Sequence, residues 1–257
     1  MTLFDSIGRT YDNTRQADER IVAQLIRLLD LEHGSTIADV GAGTGNYSVA
    51  LAEAGFKIKA IELSPVMRSH ARQHANVEWI AGVAEDIPLR NDSVAGVVSV
   101  LALCHFADVE RAFREMARVS TQGPIVIFTF DSKAGRQTWL YEYFPYFWDT
   151  FGHIPAIEDV AEKMRANTGL TTQIITFELP SDLTDNFAAA GWRQPHLYLA
   201  EEYRSNISSF HLTDPANVDQ SVERLSSDLT SGRWEVLYGD VLHLEQIDAG
   251  YCFLCAK

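Results

Sequence analysis

The stretch STIADVGAGTGNYSVALAEAG, residues 35–55, constrains this chain more than any other. A short apolar run leads into three glycines at alternate positions, Gly41, Gly43 and Gly45, and a helical pattern follows that Gly55 closes. Strand, glycine turn and helix in that order belong to an open α/β sheet, where the turn lets the backbone approach a ligand at the carboxyl end of the strand. Dinucleotide sites carry a further glycine for helix packing, G-x-G-x-x-G, and the position it would take is Asn46.

The same alternation continues. FKIKAIEL reads as a second strand ending near Glu62, and Ser64 with Pro65 opens a helix as cap and first helical residue. VEWIAG is a third strand, and SVAGVVSVLAL a fourth, apolar nearly throughout, as a strand covered on both faces should be. VERAFREMARVS is a helix and GPIVIFTF a fifth strand. Ahead of all these, residues 18–33 repeat Ile21, Leu25, Leu28 and Leu29 on one helical face. The expectation is a doubly wound, mostly parallel sheet with right-handed crossovers.

Beyond Asp131 the pattern loosens. Residues 136–151, RQTWLYEYFPYFWDTF, predict one or two short aromatic-packed helices broken at Pro145. TTQIITFELP predicts a strand, DNFAAAGW a short helix, SVERLSSDLTSG a helix ended by Gly232, and GYCFLCAK a closing strand. Nothing here reads as a linker, so residues 1–257 are expected to form one domain. Its parts would be an N-terminal lid and helix (1–33), a ligand-binding core (34–131), a cap (132–235) and closing strands (236–257).

The formal charge of −14 argues against a broad footprint on nucleic-acid phosphates or anionic lipid. No apolar run is long enough to span a bilayer or has the form of a signal peptide, so a cytoplasmic protein is expected. Three cysteines make no disulfide framework. Cys252 and Cys255 form a C-x-x-C, but on a strand they point to opposite faces, which suits neither zinc nor a redox turn. No ligand cluster supports a metal site.

ADVGAGTGNYSVALAEAG resembles motif I of the class I methyltransferases that use S-adenosylmethionine. Further matches are Glu62 ending IKAIEL, the turn GVAEDIPL, VVSVLALCHF as strand four, and VERAFREMARVSTQGPIVI into strand five. The group is similar to the small-molecule enzymes that methylate ubiquinone and menaquinone precursors. The resemblance covers residues 1 to about 131 well and the rest weakly. It implies a Rossmann-like seven-stranded sheet with helices on both faces and an aromatic-rich helical cap inserted after strand five. It also implies S-adenosylmethionine as cofactor.

The resemblance further implies site roles. Gly41, Ala42, Gly43 and Gly45 would lie against the methionine part and ribose, with Asp39 on the amino group. Glu62, with Leu63 beside it, would accept hydrogen bonds from both ribose hydroxyls. Ala84 and Glu85 match the adenine-contacting turn, but Val83 stands where the group often has an acid, so Glu85 or Asp86 would replace it and Ile87 would line the ring. Ser99 and Leu101 would underlie the cofactor, and Cys104 and His105 would emerge at the reacting methyl. Tyr11 would cover the cofactor and Arg15 pair with its carboxylate, as a planar fork can.

His105 is the candidate general base, because histidine titrates near neutrality; a packing role that shapes the pocket is the competing reading. The aromatics of 136–151 would wall an acceptor pocket or pack the cap, with Arg204, His153, His196 and His211 as further polar candidates. The expected partner is a small, apolar or aromatic methyl acceptor and not a nucleic acid or a membrane, and the expected assembly is a monomer or homodimer. Two alternatives stand beside this reading: a nicotinamide-dependent oxidoreductase on a similar sheet, and a binding module that retains the cofactor without transferring methyl.

Overall fold

The computed structural model describes residues 11–121, 123–131, 133–152 and 155–257. The opening segment MTLFDSIGRT, with the signal-peptide question attached to it, lies outside them. Among the described residues, the main sheet has seven strands: β1 (Thr36–Val40), β2 (Lys57–Glu62), β3 (Val77–Ala81), β4 (Gly96–Val100), β5 (Ile125–Phe130), β6 (Thr172–Thr176) and β7 (Tyr251–Ala256). Their spatial order is 3-2-1-4-5-7-6. β1 to β5 pair in parallel, and β7 runs antiparallel to both β5 and β6. The order reverses between β1 and β4, and in open α/β sheets ligands bind outside the carboxyl ends at such a point.

Helix α1 (Glu19–Leu29) starts where the Asp18 side chain accepts from the Arg20 amide, and it buries the predicted Ile21, Leu25, Leu28 and Leu29. α2 (Asn46–Glu53) follows the glycine turn, and α3 (Pro65–Ser69) is capped by Ser64, whose hydroxyl accepts from the Met67 amide. α4 (Val109–Val119) is capped by Asp108. Alternation along the strands divides the core into two layers. Ile37, Val98, Val126 and Phe128 face α1 and α2, whereas Ala38, Val97, Ile125 and Ile127 face Phe113 and Met116 of α4. Cys252 and Cys255 fall in opposite layers, both buried and unpaired as thiols.

The cap differs from expectation in its arrangement. α5 (Trp139–Tyr143) and α6 (Tyr146–Asp149) arise from the aromatic stretch, but α7 (Ile157–Thr168) returns to the sheet and packs beside α4. Ile157, Val160, Ala161 and Met164 line its buried face at helical spacing, and Gly169 ends it at φ 73°. The cap is therefore two separate pieces of chain, because α7 and β6 intervene between them. Its second piece holds α8 (Glu201–Arg204), α9 (Ser208–Leu212), α10 (Pro215–Thr230) and α11 (Arg233–Tyr238). The predicted strand TTQIITFELP stops at Thr176, and Leu179–Pro180 pairs instead with Gln246–Ile247.

DNFAAAGW forms turns, not a helix. Its first residues are drawn to the N-terminal segment: the Asn186 amide donates to the Thr14 carbonyl and the Asp185 carboxylate meets Arg15. Tertiary bonds of this kind outweigh the helical preference of three consecutive alanines.

Candidate active site

The glycine turn fixes the site's geometry. Gly41, Gly43 and Gly45 all have positive φ (78°, 60° and 88°). A Cβ on Gly41 would come within 2.5 Å of the Ala102 Cβ, so the turn and the loop after β4 are in close contact there. A Cβ on Gly43 would meet nothing within 4 Å, because Gly43 faces open space. The Gly41 and Ala42 amides donate to the Ile61 carbonyl, which ties the turn to the end of β2.

Glu62 closes β2 with both carboxylate oxygens engaged, one accepting from the Gly43 amide at 2.9 Å and the other from the Ser64 amide at 2.7 Å. Burial raises its pKa against those two bonds. Asp39 is 1 % exposed, accepts from the Ser48 hydroxyl at 2.5 Å, and has its pKa pushed up to about 6 by burial, with Glu62 adding to the shift. A buried carboxylate so placed is an acceptor for a cation or an N–H donor.

Three chambers with lining residues in common lie at and beside this turn. One, of about 970 Å³ including its mouth, runs past Gly41, Gly43, Glu62, Leu63, Ala84 and Glu85, with Ile61, Met67 and Phe106 as apolar lining. A second, smaller one holds Arg15, Asp39, Ala42, Thr44, Asn46, Tyr47 and Asp185. A third, of about 580 Å³ including its mouth, lies under the cap between Cys104, Phe130, Phe147, Trp148, Phe151, Phe187 and Tyr251. Tyr11 lines all three, and Leu101 and His105 line both the first and the third. Leu101 has φ 54°, an uncommon conformation for a leucine, at the junction between chambers.

Other anticipated residues make contacts within the protein. Ser99 is fully buried and donates to the Val40 carbonyl, joining β4 to β1 beneath the turn. Glu85 lines the cleft, but one carboxylate oxygen already accepts from the Ala107 and Asp108 amides at the start of α4. Ile87 packs into the core layer on the α4 side, and its place beside the cleft is taken by Met67 and Phe106. His105 is exposed at the end of a short 3-10 turn, edge-on to Phe151 at 5.6 Å. Burial raises the Cys104 thiol to about 12, which keeps it protonated and without nucleophilic character.

Arg15 departs most from expectation. Its fork is filled by a carboxylate within the chain: Nε meets Asp185 Oδ1 at 2.5 Å and Nη2 meets Asp185 Oδ2 at 3.2 Å. The remaining Nη1 donates to the Tyr11 hydroxyl at 2.7 Å. Thr44 donates to Asp12, and the Asn46 amide donates to both Asp12 and the Arg15 carbonyl. Asn46, where a dinucleotide site would have glycine, thus holds down the segment before α1.

Of the other polar candidates, Arg204 donates to the Tyr198 carbonyl, His211 bonds to the Ser205 carbonyl and His196 lines a separate surface groove. None of the three lines the chamber under the cap. His153 lies outside the described residues. Sequence reasoning passed over Asp185, Tyr47 and Phe106. Phe106 directly follows the singled-out His105, but Asp185 carried no local signal. Among the described residues, no group of His, Cys, Asp and Glu side chains could hold a metal ion, and no helix is long and apolar enough to cross a membrane.

Residues 38–128 match the family described as methyltransferase domain. The chain is 45% identical to a crystallised protein from Anabaena variabilis described as a methyltransferase from an antibiotic biosynthesis pathway, with a TM-score of 0.92 over 95% of this chain and 99% of that one. A malonyl-[acyl-carrier protein] O-methyltransferase of Pectobacterium atrosepticum is 30% identical over 49% of this chain and 50% of its own length. A ubiquinone/menaquinone biosynthesis C-methyltransferase of Rubrivivax gelatinosus is 27% identical over 66% of this chain and 67% of its own. The chain spans half or less of the length of the first curated relatives it matches. The near full-length likeness to the Anabaena protein, with the domain match across the glycine turn and strands β1 to β5, places the chain in the class I S-adenosylmethionine-dependent methyltransferase family.

Proposed function

We propose that this chain transfers a methyl group from S-adenosylmethionine to a small, apolar or aromatic acceptor by in-line displacement. The observation that carries this reading is the lining the chambers share: Leu101 and His105 line both the cleft at the strand ends and the aromatic pocket under the cap. The donor group and the acceptor would meet at that junction.

The residues fit the cofactor by their chemistry. Asp39 is a buried carboxylate suited to an ammonium, Glu62 can accept from ribose hydroxyls, and Gly43 leaves backbone room beside both. Ala42, Gly41 and Gly45 shape the turn, Leu63, Ala84 and Glu85 flank the adenosine side, and Ser99 acts only by fastening the strands below. When bound, the cofactor supplies an electrophilic methyl on a sulfonium, so the protein needs to align the acceptor more than to activate it. Alignment of that kind can be worth about 7–11 kcal/mol of the barrier.

His105 would take a proton from an acceptor that must lose one, an effect of roughly 100-fold to 10,000-fold. Phe147, Trp148 and Phe151 would exclude water and stack on an aromatic acceptor. Tyr11 would cover the donor. The curated relatives are described as acting on a malonyl carrier protein and in quinone biosynthesis, and the aromatic lining of the pocket favours the second kind of molecule.

The test is incubation with isotopically labelled S-adenosylmethionine and a panel of hydroxylated aromatics, alongside malonyl-carrier protein. Label transfer to an aromatic, reduced at least 100-fold in His105→Ala for a proton-bearing nucleophile, is the expected result. Tight S-adenosylhomocysteine binding with no transfer to any class would make the chain a binding module, and stabilisation by nicotinamide dinucleotides alone would overturn the cofactor assignment.

A further inference from the structure

The contact between Arg15 and Asp185 joins the segment before α1 to the segment that follows Leu179–Pro180. Asp185 is 1 % exposed, and its carboxylate receives Arg15 Nε, Arg15 Nη2 and the Tyr47 hydroxyl, the last at 3.0 Å. Arg15 is itself 9 % exposed and hands its remaining nitrogen to Tyr11, the residue common to all three chambers. On the other side, Phe187 and Ala188 follow Asp185 by two and three residues and line the acceptor pocket. Two backbone and side-chain bonds reinforce the joint: the Asn186 amide donates to the Thr14 carbonyl, and the Asn206 amide group donates to the Thr14 hydroxyl.

We propose that Asp185 is a positioning residue through which cofactor binding organises the acceptor wall. The inference rests on the cofactor reading above. The bidentate pair is buried, so separating it leaves an uncompensated charge, and the two segments therefore open together or not at all. A ligand that holds Tyr11 favours the closed state of residues 11–15. By linkage it favours the closed state of residues 185–188: Asp185 lines the small chamber that also holds Asp39, and Phe187 and Ala188, which line the pocket under the cap, follow it in the chain. Asp185 thus touches no reacting atom; it acts through Arg15 and Tyr11.

The pairing also determines what Arg15 can do. With its fork occupied by Asp185, Arg15 offers the pocket no uncompensated positive charge, which is consistent with an uncharged acceptor beside the aromatic rings.

The test is amide hydrogen exchange on the full chain with and without saturating S-adenosylhomocysteine. In the unaltered protein, the ligand should slow exchange at Asn186 and in the 185–194 segment at least tenfold. In Asp185→Asn the ligand should still bind, with that slowing reduced to less than threefold. The single substitution strands the Arg15 charge, so Arg15→Met/Asp185→Leu, which replaces the pair by apolar groups of similar size, provides a variant expected to fold. It should show the same loss of ligand-dependent slowing. A residue with a merely structural role would speed exchange equally with and without ligand. Ligand-dependent slowing that persists in the double variant, or is absent from the unaltered protein while the ligand binds, overturns the coupling alone. Failure of S-adenosylhomocysteine to bind overturns the cofactor reading and the coupling with it.

Discussion

Asp39 is a buried carboxyl whose ionisation costs the fold stability. Its ordinary carboxyl pKa is 3.8, and burial pushes it up to about 6 in the fold. Between those values the unfolded chain releases the proton first, so stability falls as pH rises through this window and stays lowered above it. Asp39→Asn removes that cost while its amide oxygen can still accept from Ser48. The ligand-free variant should therefore be more stable at pH 7.5 by about 1–3 kcal/mol, with the gain vanishing below about pH 4. Thermal melts at the two pH values check this. The same change should weaken S-adenosylhomocysteine binding by at least tenfold at pH 7.5. In the unaltered protein, affinity measured by calorimetry should decline as pH falls through about 6, because protonating Asp39 removes the charge that would meet the ligand's ammonium.

At the scale of the element, two glycines of one turn should fail in different ways. Gly41→Ala puts a Cβ 2.5 Å from the Ala102 Cβ at φ 78°, so the turn and the loop after β4 must separate. Strain and overpacking together should cost about 2–4 kcal/mol, visible as a lower denaturation midpoint. Gly43→Ala meets only open space at φ 60°, and its cost to the fold should be about 1–2 kcal/mol. Its methyl would enter the cleft, so S-adenosylhomocysteine affinity should fall by more than tenfold while the far-ultraviolet circular dichroism is unchanged. An equal loss of stability in both variants would refute the distinction. The strand–turn–helix unit itself was legible from residues 35–55, because a short, largely apolar run and alternate glycines express their conformation locally. Helix α7 was equally periodic, with Gly169 behind it, yet it falls beyond the aromatic stretch where the regular alternation of strands and helices had stopped.

For the whole molecule, ligand binding and stability are one measurement. At a free S-adenosylhomocysteine concentration of 100 times Kd, stability should rise by about 2.7 kcal/mol, a shift of roughly 6–10 °C in Tm for a domain of this size. No comparable shift is expected with NAD(H) or NADP(H). A flat response to S-adenosylhomocysteine would sink the cofactor reading.

The sequence by itself determined the parallel core, the glycine turn after β1, and the acidic residues near the ends of β1 and β2. Each of these depends on contacts between near neighbours or on a strand's two-residue period. Only the tertiary structure decided that Arg15 spends its charge on Asp185, 170 positions away, that Asn46 anchors the N-terminal segment, and that the cap is built from two separate pieces of chain. A buried ion pair has no sequence period. Its geometry exists only once the sheet has brought the carboxyl ends of β1 and β4 beneath both segments, and desolvation then makes the pairing obligatory.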